Sequence, residues 1–432
     1  MAKLGPAAVT ICSSAFVKLG RAQSSALGYP DLPIAVIPHP FSSLTRDEVR
    51  ELSAQCAEDV ARLVCDADTA SPDAAAAIVK HSPSAERAAL VTVSDDLAAI
   101  NTLFRERRWG DGLPVVPPTV ERIEQMLRHT RRAPDEIIAR IAPGFGTATV
   151  ERIAINAVLA GCDPDYLPVL IAATKAVAAR EFNLQGLQTT TDPVAVWLIV
   201  NGPIVQRLGI NSGVNCLGQG TWANATLGRA LRLILQNVGG ALPGEMDRAT
   251  QGQPGKFTFC CAENEARNPW TPLHVERGFA PERSTVTVVG AEGTMNMHSY
   301  ARHADDILRV IADTMAHGPS NEYVHGGEPW IVLSPEHADI LHQFGHTKDD
   351  VKRRLWEQSK MAAGRMAPED MGRAQASRTG VLGAIGPDTL LTIAPEPAGI
   401  GIIVAGGPGA HSVYVPSFGN TRSVTREVVC NA

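Results

Sequence analysis

The residues of this 432-residue chain whose types suit chemistry are concentrated between positions 200 and 278. This central segment combines glycine turns, side-chain amides, an adjacent cysteine pair, two glutamates and a histidine. Burying polar groups is costly unless each one is satisfied, so such a density of them between apolar stretches is typical of a pocket lining. We therefore expect the functional site to lie in this segment.

The predicted catalytic residues are Cys260, Cys261, Glu263, Glu265 and His274. A thiolate can act as a nucleophile or redox group, whereas glutamate and histidine transfer protons. The two cysteines end a strand predicted over 257–261, and alternation along a strand directs them to opposite faces. At most one of them should therefore point into a given pocket. Two buried, unreactive cysteines are the alternative.

Glu263 and Glu265 follow directly after that predicted strand. Open α/β sheets bind ligands at the carboxyl ends of their strands, so this position favours a role in a site. The spacing of the glutamates and His274 matches no zinc motif, and we predict no metal site. No cofactor is indicated by the sequence.

The predicted substrate-binding residues are Asn211, Asn215, Asn224, Arg229, Lys256 and His411. Asn224 and Arg229 lie near the start of a helix predicted over 221–238, where backbone N–H groups and an arginine suit a carboxylate or phosphate. A capped helix with a structural arginine fits equally well. His411 follows a glycine turn after a strand predicted over 400–405, and that turn is either an anion loop or a β-hairpin.

The N-terminal segment predicts a β-α-β-α unit, with strands at 8–12 and 34–37 and helices at 14–27 and 45–65. This order implies parallel strands and a partial, doubly wound, Rossmann-like unit. Two strands leave an open edge, so they must join strands from elsewhere in the chain or from a partner chain.

The whole chain is predicted to be α/β and is too long for one small domain. We expect the partial unit at residues 1–66, a linker at 67–93, and a larger mixed α/β domain at 94–432 that carries the site. The linker prediction rests on a run rich in alanine, serine and proline without clear periodicity.

Composition excludes several classes of protein. Hydrophobic residues at 44% and charged residues at 19% are ordinary for a globular chain. A net charge of -6 with scattered arginines argues against nucleic-acid binding. No apolar run approaches the roughly 20 residues of a membrane span. Eight sparse cysteines without a CxxC motif favour a reducing, cytoplasmic compartment.

The N-terminal stretch TICSSAFVKLGRAQSSALGYPDLPIAVIPHPFSSLTRDEV resembles the second half of the domain found in the bacterial UGSC-motif (seleno)proteins, which are named for a Sec/Cys-Gly-Ser-Cys motif. The stretches WGDGLPVVPPT, GTATVERIAINAVLAGC, NGPI, ANATLGRALRL, NVGGALPG, GKFTF, AENE and VAGGPGAHS are similar to a large bacterial domain that accompanies or follows it. The Cys-Gly-Ser-Cys motif does not occur in this chain. The resemblance thus implies that a separate polypeptide supplies the motif and completes the N-terminal sheet, and we expect an oligomer.

Three functions follow from these observations. The first is an enzyme, or the larger subunit of one, that acts on a small polar or anionic substrate by thiol-dependent redox or nucleophilic chemistry. The second is a lyase or hydratase that uses only carboxylate and histidine. The third is a binding subunit without catalytic activity.

Overall fold

The structure is a computed structural model that describes residues 8–41, 44–67, 87–318 and 320–430. Its strands are β1 (Thr10–Ser13), β2 (Ile34–Ile37), β3 (Ile137–Ile141), β4 (Gly146–Thr149), β5 (Ala195–Asn201), β6 (Cys260–Ala262), β7 (Thr285–Ala291), β8 (Met295–His298), β9 (Trp330–Leu333), β10 (Met361–Ala362), β11 (Leu390–Leu391), β12 (Gly401–Val404), β13 (His411–Val415) and β14 (Val424–Glu427). These strands and the helices between them confirm the predicted mixed α/β class.

The helices are α1 (Val17–Ala26), α2 (Arg46–Ala67), α3 (Leu97–Glu106), α4 (Val120–Leu127), α5 (Val150–Ala160), α6 (Leu167–Val177), α7 (Leu184–Thr189), α8 (Ile204–Arg207), α9 (Trp222–Asn237), α10 (Leu273–Glu276), α11 (Ala304–Met315), α12 (Asn321–His325), α13 (Pro335–Gln343), α14 (Lys348–Gln358) and α15 (Pro368–Leu382). Side-chain caps begin several of them. Thr149 accepts the backbone N–H of Arg152 in α5, and Ser334 accepts that of His337 in α13. Such caps satisfy N–H groups that have no partner within the helix.

The N-terminal unit has the predicted β-α-β-α order. β1 and β2 pair in parallel, with Thr10 opposite Ile34, and α2 begins beside Thr45, whose backbone N–H and hydroxyl both donate to Glu48. Among the described residues these two strands pair only with each other. The unit touches the rest of the chain through Gln23, whose amide donates to the carbonyl of Pro143 at 2.8 Å.

Most of the predicted linker, residues 68–86, lies outside the described residues. Its C-terminal part is attached to the large domain. The side chain of Arg87 and the backbone N–H of Ala88 both donate to Glu151 at 3.1 Å. Glu151 is buried in the first turn of α5, so this contact fixes where the chain enters the large domain.

The large domain contains two 4-stranded mixed sheets, ordered β14-β7-β5-β6 and β12-β9-β13-β8. The inner faces of the two sheets share one apolar core, in which the rings of Trp197 and Trp330 meet edge to face with centroids 5.9 Å apart. Helices α5, α6 and α9 cover the outer face of the first sheet, and α11 to α15 cover that of the second. The result is an α-β-β-α arrangement of four layers, in which each sheet is apolar on both faces.

The two sheets are related by an internal repeat. Strands β6, β5, β7 and β14 match β12, β9, β13 and β8 in order, direction and register. In chain order the first half consists of β5, β6, β7 and β8, and the second of β9, β12, β13 and β14. The last strand of each half joins the sheet of the other half, because β8 pairs with β13 and β14 pairs with β7. Trp197 and Trp330 occupy equivalent positions, in the similar stretches WLIVNGP and WIVLSP. Our sequence analysis missed this repeat, although these two stretches carry its signal.

Two local differences from the predictions concern the site. The strand predicted over 257–261 is shorter and later, at Cys260–Ala262, because Phe257 still has the helical backbone conformation that ends a 3-10 turn over Pro254–Lys256. The turn after β12 is not a β-hairpin, since β9 lies between β12 and β13 in the sheet. None of the helices in the described part of the chain has the length and apolar content to cross a membrane.

Candidate functional site

The carboxyl ends of parallel strands from both sheets meet at one end of the large domain. β5 and β6 are parallel neighbours, as are β9 and β12. The backbone N–H of Asn264, after β6, donates to the carbonyl of Val404 at the end of β12 at 2.7 Å. Loops that follow parallel strands can place polar groups around a shared position, so this edge is the natural place for a site.

Glu263 lies directly after β6 and is only 1% exposed. Its carboxylate accepts hydrogen bonds from the Asn201 amide at 2.6 Å, the Asn268 amide at 2.8 Å and the Leu273 N–H at 2.8 Å. Burial raises its pKa, while the charge of Lys348 and the hydrogen bonds oppose that shift. A carboxylate so fully engaged holds the loop over 263–273 in place, which favours a positioning role over contact with substrate.

Glu265 and His274 form an acid–base pair beside Glu263. Glu265 is 30% exposed, and it accepts the Asn201 amide at 2.9 Å and the Gly202 N–H at 2.7 Å. Nε2 of buried His274 lies 3.3 Å from the Pro281 carbonyl, an acceptor, so Nε2 carries a proton. Nδ1 lies 3.5 Å from a Glu265 carboxylate oxygen and, among the described residues, has no hydrogen-bond partner. The structure thus brings the three predicted proton-transfer residues together.

The adjacent cysteines point to opposite faces of β6, as alternation predicted. Cys260 lies in the core beneath the helices, whereas Cys261 lies in the core between the sheets. Burial raises the pKa of Cys260 far above that of a free thiol. Because the thiolate is the reactive form, Cys260 is unreactive in this position.

Cys216, which we did not single out from the sequence, is the thiol best placed to react. It lies in the loop between α8 and α9, and its sulfur accepts a hydrogen bond from the Cys261 thiol. That bond lowers its pKa, and the backbone N–H groups of Cys216, Leu217 and Gly406 add to the effect against the opposing effect of burial. The pKa of Cys261 is raised in turn, so Cys216 is the thiol of the pair that loses its proton more readily.

The predicted substrate-binding amides hold the Cys216 loop. Asn224, buried at the start of α9, donates to the carbonyls of Asn211 and Cys216 at 3.0 Å and accepts the Asn211 N–H at 2.8 Å. Asn215 has a φ of 58°, and its amide donates to the Gln219 carbonyl at 2.7 Å, closing the turn. These contacts position the thiol and leave Asn224 no free donor for a substrate.

The glycine loop after β12 closes over the same thiol. The N–H of Gly406 also donates to the Ser212 carbonyl at 2.9 Å. A Cβ atom on Gly407 would lie 2.5 Å from the side chain of Val214, so only glycine permits this close approach. The loop over 405–409 therefore packs against the loop that carries Cys216 and is hydrogen-bonded to it.

The other three predicted substrate-binding residues have no described hydrogen bond to the Cys216 loop or to Glu265. Arg229 makes two hydrogen bonds to Asp111, at 2.7 and 2.9 Å. Lys256 donates to both carboxylate oxygens of Asp247, at 2.9 and 2.8 Å. His411 is exposed on β13, with Nδ1 3.2 Å from the Asn296 amide oxygen. Arg229 and Lys256 are thus paired with aspartates rather than left to bind a substrate. For Arg229 this agrees with the alternative of a structural arginine.

Lys256 in particular lies at the opposite end of the sheet. Gly255 packs against Ala195, which starts β5, whereas Asn201 ends it. Six steps along a strand correspond to about 20 Å. Lys256 therefore cannot share a small ligand with Glu265.

The internal repeat shows that only the first half carries the amide, carboxylate and thiol of the candidate site. By strand register, Ser334, Ala405 and Ile403 of the second half correspond to Asn201, Glu263 and Cys261 of the first. The second half thus has small or apolar residues where the first has an amide, a carboxylate and a thiol. The scaffold alone does not require those polar groups, which argues that they serve a purpose specific to the first half.

The structure contains a cavity that is separate from Glu263 and Cys216. A cavity of about 300 Å³ lies between α3 and the loop over 110–115, and Asp111 lines it. The Asp111 carboxylate is occupied by Arg229 and by the N–H of Leu113, so it acts as a turn residue. Among the residues that the structure describes, no group of three or more His, Cys, Asp or Glu side chains is arranged to hold a metal ion.

Comparison with known proteins gives a partial match. No curated protein matches the chain. One family model does, and it covers the parallel β-α-β-α unit described above rather than the domain with the thiol pair. For that segment it confirms the resemblance seen in the sequence: residues 1–66 match the UGSC family.

Proposed function

We propose that the chain is an enzyme, or the larger subunit of one, that acts on a small polar or anionic substrate through the thiolate of Cys216. The observation that carries this proposal is the set of donors around one sulfur. The Cys261 thiol and the backbone N–H groups of Cys216, Leu217 and Gly406 lower the pKa of this thiol against the opposing effect of burial. Polar groups fixed by the fold stabilise negative charge on sulfur as they do on a reacting oxygen, so they favour the thiolate.

The surroundings of Cys216 suit a reaction with a small molecule. The side chain is 6% exposed, but Val214, Asn215 and Gly218 beside it are exposed, so the loop forms the surface over the sulfur. Glu265 and His274 lie beyond the carboxyl ends of the parallel strands β5 and β6. These two residues would transfer protons. Eight free cysteines fit a reducing, cytoplasmic compartment, which we also propose.

The thiol proposal predicts which cysteine reacts. At pH 7, iodoacetamide should alkylate Cys216 in the folded protein at least tenfold faster than Cys260, because only Cys216 has a lowered pKa. Peptide mass spectrometry over time measures both rates in one sample. Cys260→Ser is the matched control and should leave the labelling of Cys216 unchanged. Equal rates for the two cysteines would contradict the proposal.

A second candidate is the lyase or hydratase that uses carboxylate and histidine. The observation that favours it is the Glu265 and His274 pair, in which a partly exposed acid lies 3.5 Å from a buried imidazole. Alanine at both Cys216 and Cys261 separates the two candidates. Full biological activity of that double variant would remove the thiol mechanism and leave the acid–base one.

We also propose that a second polypeptide completes the N-terminal sheet. Two apolar side chains on the parallel strands are exposed, Ile11 at 56% and Val36 at 48%. A two-stranded sheet with open edges is marginal by itself, and the UGSC family match falls on this unit. A partner with further parallel strands would cover both the edge and the apolar side chains.

The partner proposal predicts a complex in cell extracts. Tagged protein recovered from its native source should elute in size-exclusion chromatography with a second, different polypeptide in equal amount. Val36→Lys should abolish that association while the circular dichroism spectrum stays unchanged, and Leu27→Lys, an exposed change at the end of α1, should not. An active monomer, or a complex of identical chains, would contradict the proposal.

A further inference from the structure

We infer that the cavity between α3 and the loop over 110–115 is a second ligand site, and that it binds a small organic carboxylate with an apolar body. The ligand carries a hydrogen-bond donor at the end that enters first and its carboxylate at the other end. None of the residues of the proposed thiol site lines this cavity.

The cavity is built into the fold. Arg229 of α9 makes two hydrogen bonds to Asp111, at 2.7 and 2.9 Å, and Asn101 of α3 accepts the Val115 N–H at 2.8 Å. The loop that forms the wall is thus anchored to both helices. A water molecule takes up about 30 Å³, so a volume of about 300 Å³ is far larger than a packing void and suits a small molecule.

The floor of the cavity offers a hydrogen-bond acceptor. Gln236 of α9 lines the cavity and is only 5% exposed. Its Nε2 donates to the carbonyls of Gly110 and Arg108, at 2.8 and 3.4 Å, which fixes the side of the amide that carries the oxygen. No described residue donates to its Oε1. A buried acceptor without a donor is costly, so the site favours a ligand hydroxyl or N–H at this position.

The mouth of the cavity carries a cation that the fold does not neutralise. Two of the charged side chains that line the cavity are paired, Arg108 with Glu245 and Asp111 with an arginine of α9. Arg105 is exposed and forms no ion pair with any described residue. Its side chain donates to a threonine hydroxyl one turn earlier in α3, which leaves further guanidinium N–H groups for a ligand. One carboxylate would match this remaining charge.

The remaining large side chains around the cavity are apolar. They are Phe104, Leu113, Val115, Leu242 and Pro243. Apolar walls with a few polar groups are typical of small-molecule sites, in which the walls hold the body of the ligand and the polar groups orient it. A buried acceptor and an exposed cation therefore select a ligand whose donor and carboxylate stand at opposite ends of an apolar body.

The cavity is too far from the candidate site to share its ligand. Asn224, which holds the Cys216 loop, lies near the start of α9, whereas Gln236 lies near its end. The helix rises about 18 Å between these two residues. A small molecule cannot span that distance, so the cavity is a separate site.

Isothermal titration calorimetry of the full-length chain at pH 7 tests the site with 4-hydroxyphenylacetate, which has a hydroxyl and a carboxylate at opposite ends of an aromatic ring. We expect saturable binding of one molecule per chain. Phenylacetate lacks the donor and should bind about fivefold more weakly. The neutral 4-hydroxyphenylacetamide should bind about tenfold more weakly, because it cannot pair with the arginine.

Variants locate the binding. Arg105→Gln should weaken binding of 4-hydroxyphenylacetate about tenfold and leave binding of the neutral amide within about twofold. Arg107→Gln changes an exposed arginine at the same end of α3 that does not line the cavity, so this matched control should leave both affinities unchanged. Leu113→Trp should abolish binding by filling the cavity, and a side chain that is 45% exposed tolerates this change.

Several results would overturn the inference. They are the absence of binding at millimolar concentrations, equal affinities for the three probes, and equal losses in Arg105→Gln and Arg107→Gln, which would indicate attraction by net charge alone. Binding that survives in Leu113→Trp would place the probe elsewhere on the protein. The three probes decide the question on the unmodified chain even if a variant does not fold.

Discussion

Replacing Glu263 with alanine should lower the free energy of unfolding by about 3 kcal/mol, because three N–H donors would lose a buried acceptor. The donors belong to Asn201, Asn268 and Leu273. Each donor left unpaired costs about 1–3 kcal/mol, and water that enters the space can recover part of that cost. Urea denaturation at pH 7, followed by circular dichroism, measures the change.

Glu265→Ala is the matched control for Glu263→Ala. Glu265 also accepts two N–H groups, but it is partly exposed, so water can replace its carboxylate. We expect a loss of about 1 kcal/mol or less for this variant. Equal losses for the two variants would show that Glu263 does not hold its loop as we describe. The alkylation rate of Cys216 should fall in the Glu263 variant, since that loop lies against the glycine loop beside the thiol.

Stability should fall as pH rises from 6 to 9, and Glu292→Gln should remove most of that fall. Burial, together with the negative charges of Asp192 and Glu322, raises the pKa of Glu292 to about 9. The Asn321 amide donates to both Asp192 and Glu292, at 2.6 Å to Glu292. One proton shared between the two carboxyl groups thus keeps the cluster near a single negative charge.

The sign follows from proton binding. An unfolded glutamate has a pKa of about 4.3, so between that value and about 9 the folded state binds more protons than the unfolded state. Stability then decreases with rising pH, by at most about 1.4 kcal/mol per unit. Denaturation curves at pH 6 and pH 8 should differ by about 2 kcal/mol more in the unmodified chain than in Glu292→Gln. Burial also raises the pKa of Glu322 to about 7, so a smaller slope remains in Glu292→Gln. Glu282→Gln, an exposed control, should change nothing, and a slope as steep in Glu292→Gln as in the unmodified chain would refute this account.

Local signals explain which parts of the fold were predictable. α9 was expected within one residue of its observed bounds, because an apolar helical stripe depends on neighbouring residues alone. The strand at Cys260–Ala262 was misplaced, since the turn before it outweighs the β propensity of Phe257. The pairing of the two halves was missed because exchanged strands join positions far apart in the chain.

The sequence by itself determined the α/β class, the parallel N-terminal unit and the opposite directions of Cys260 and Cys261. It also pointed to the stretch that holds Glu263, Glu265 and His274, because residue type and alternation are local properties. Only the tertiary structure decided that Arg229 and Lys256 are paired with acids and that Cys216 is a thiol with a lowered pKa. A thiol pKa depends on which donors surround the sulfur in space, and here the decisive donors come from β6 and from the distant loop at Gly406.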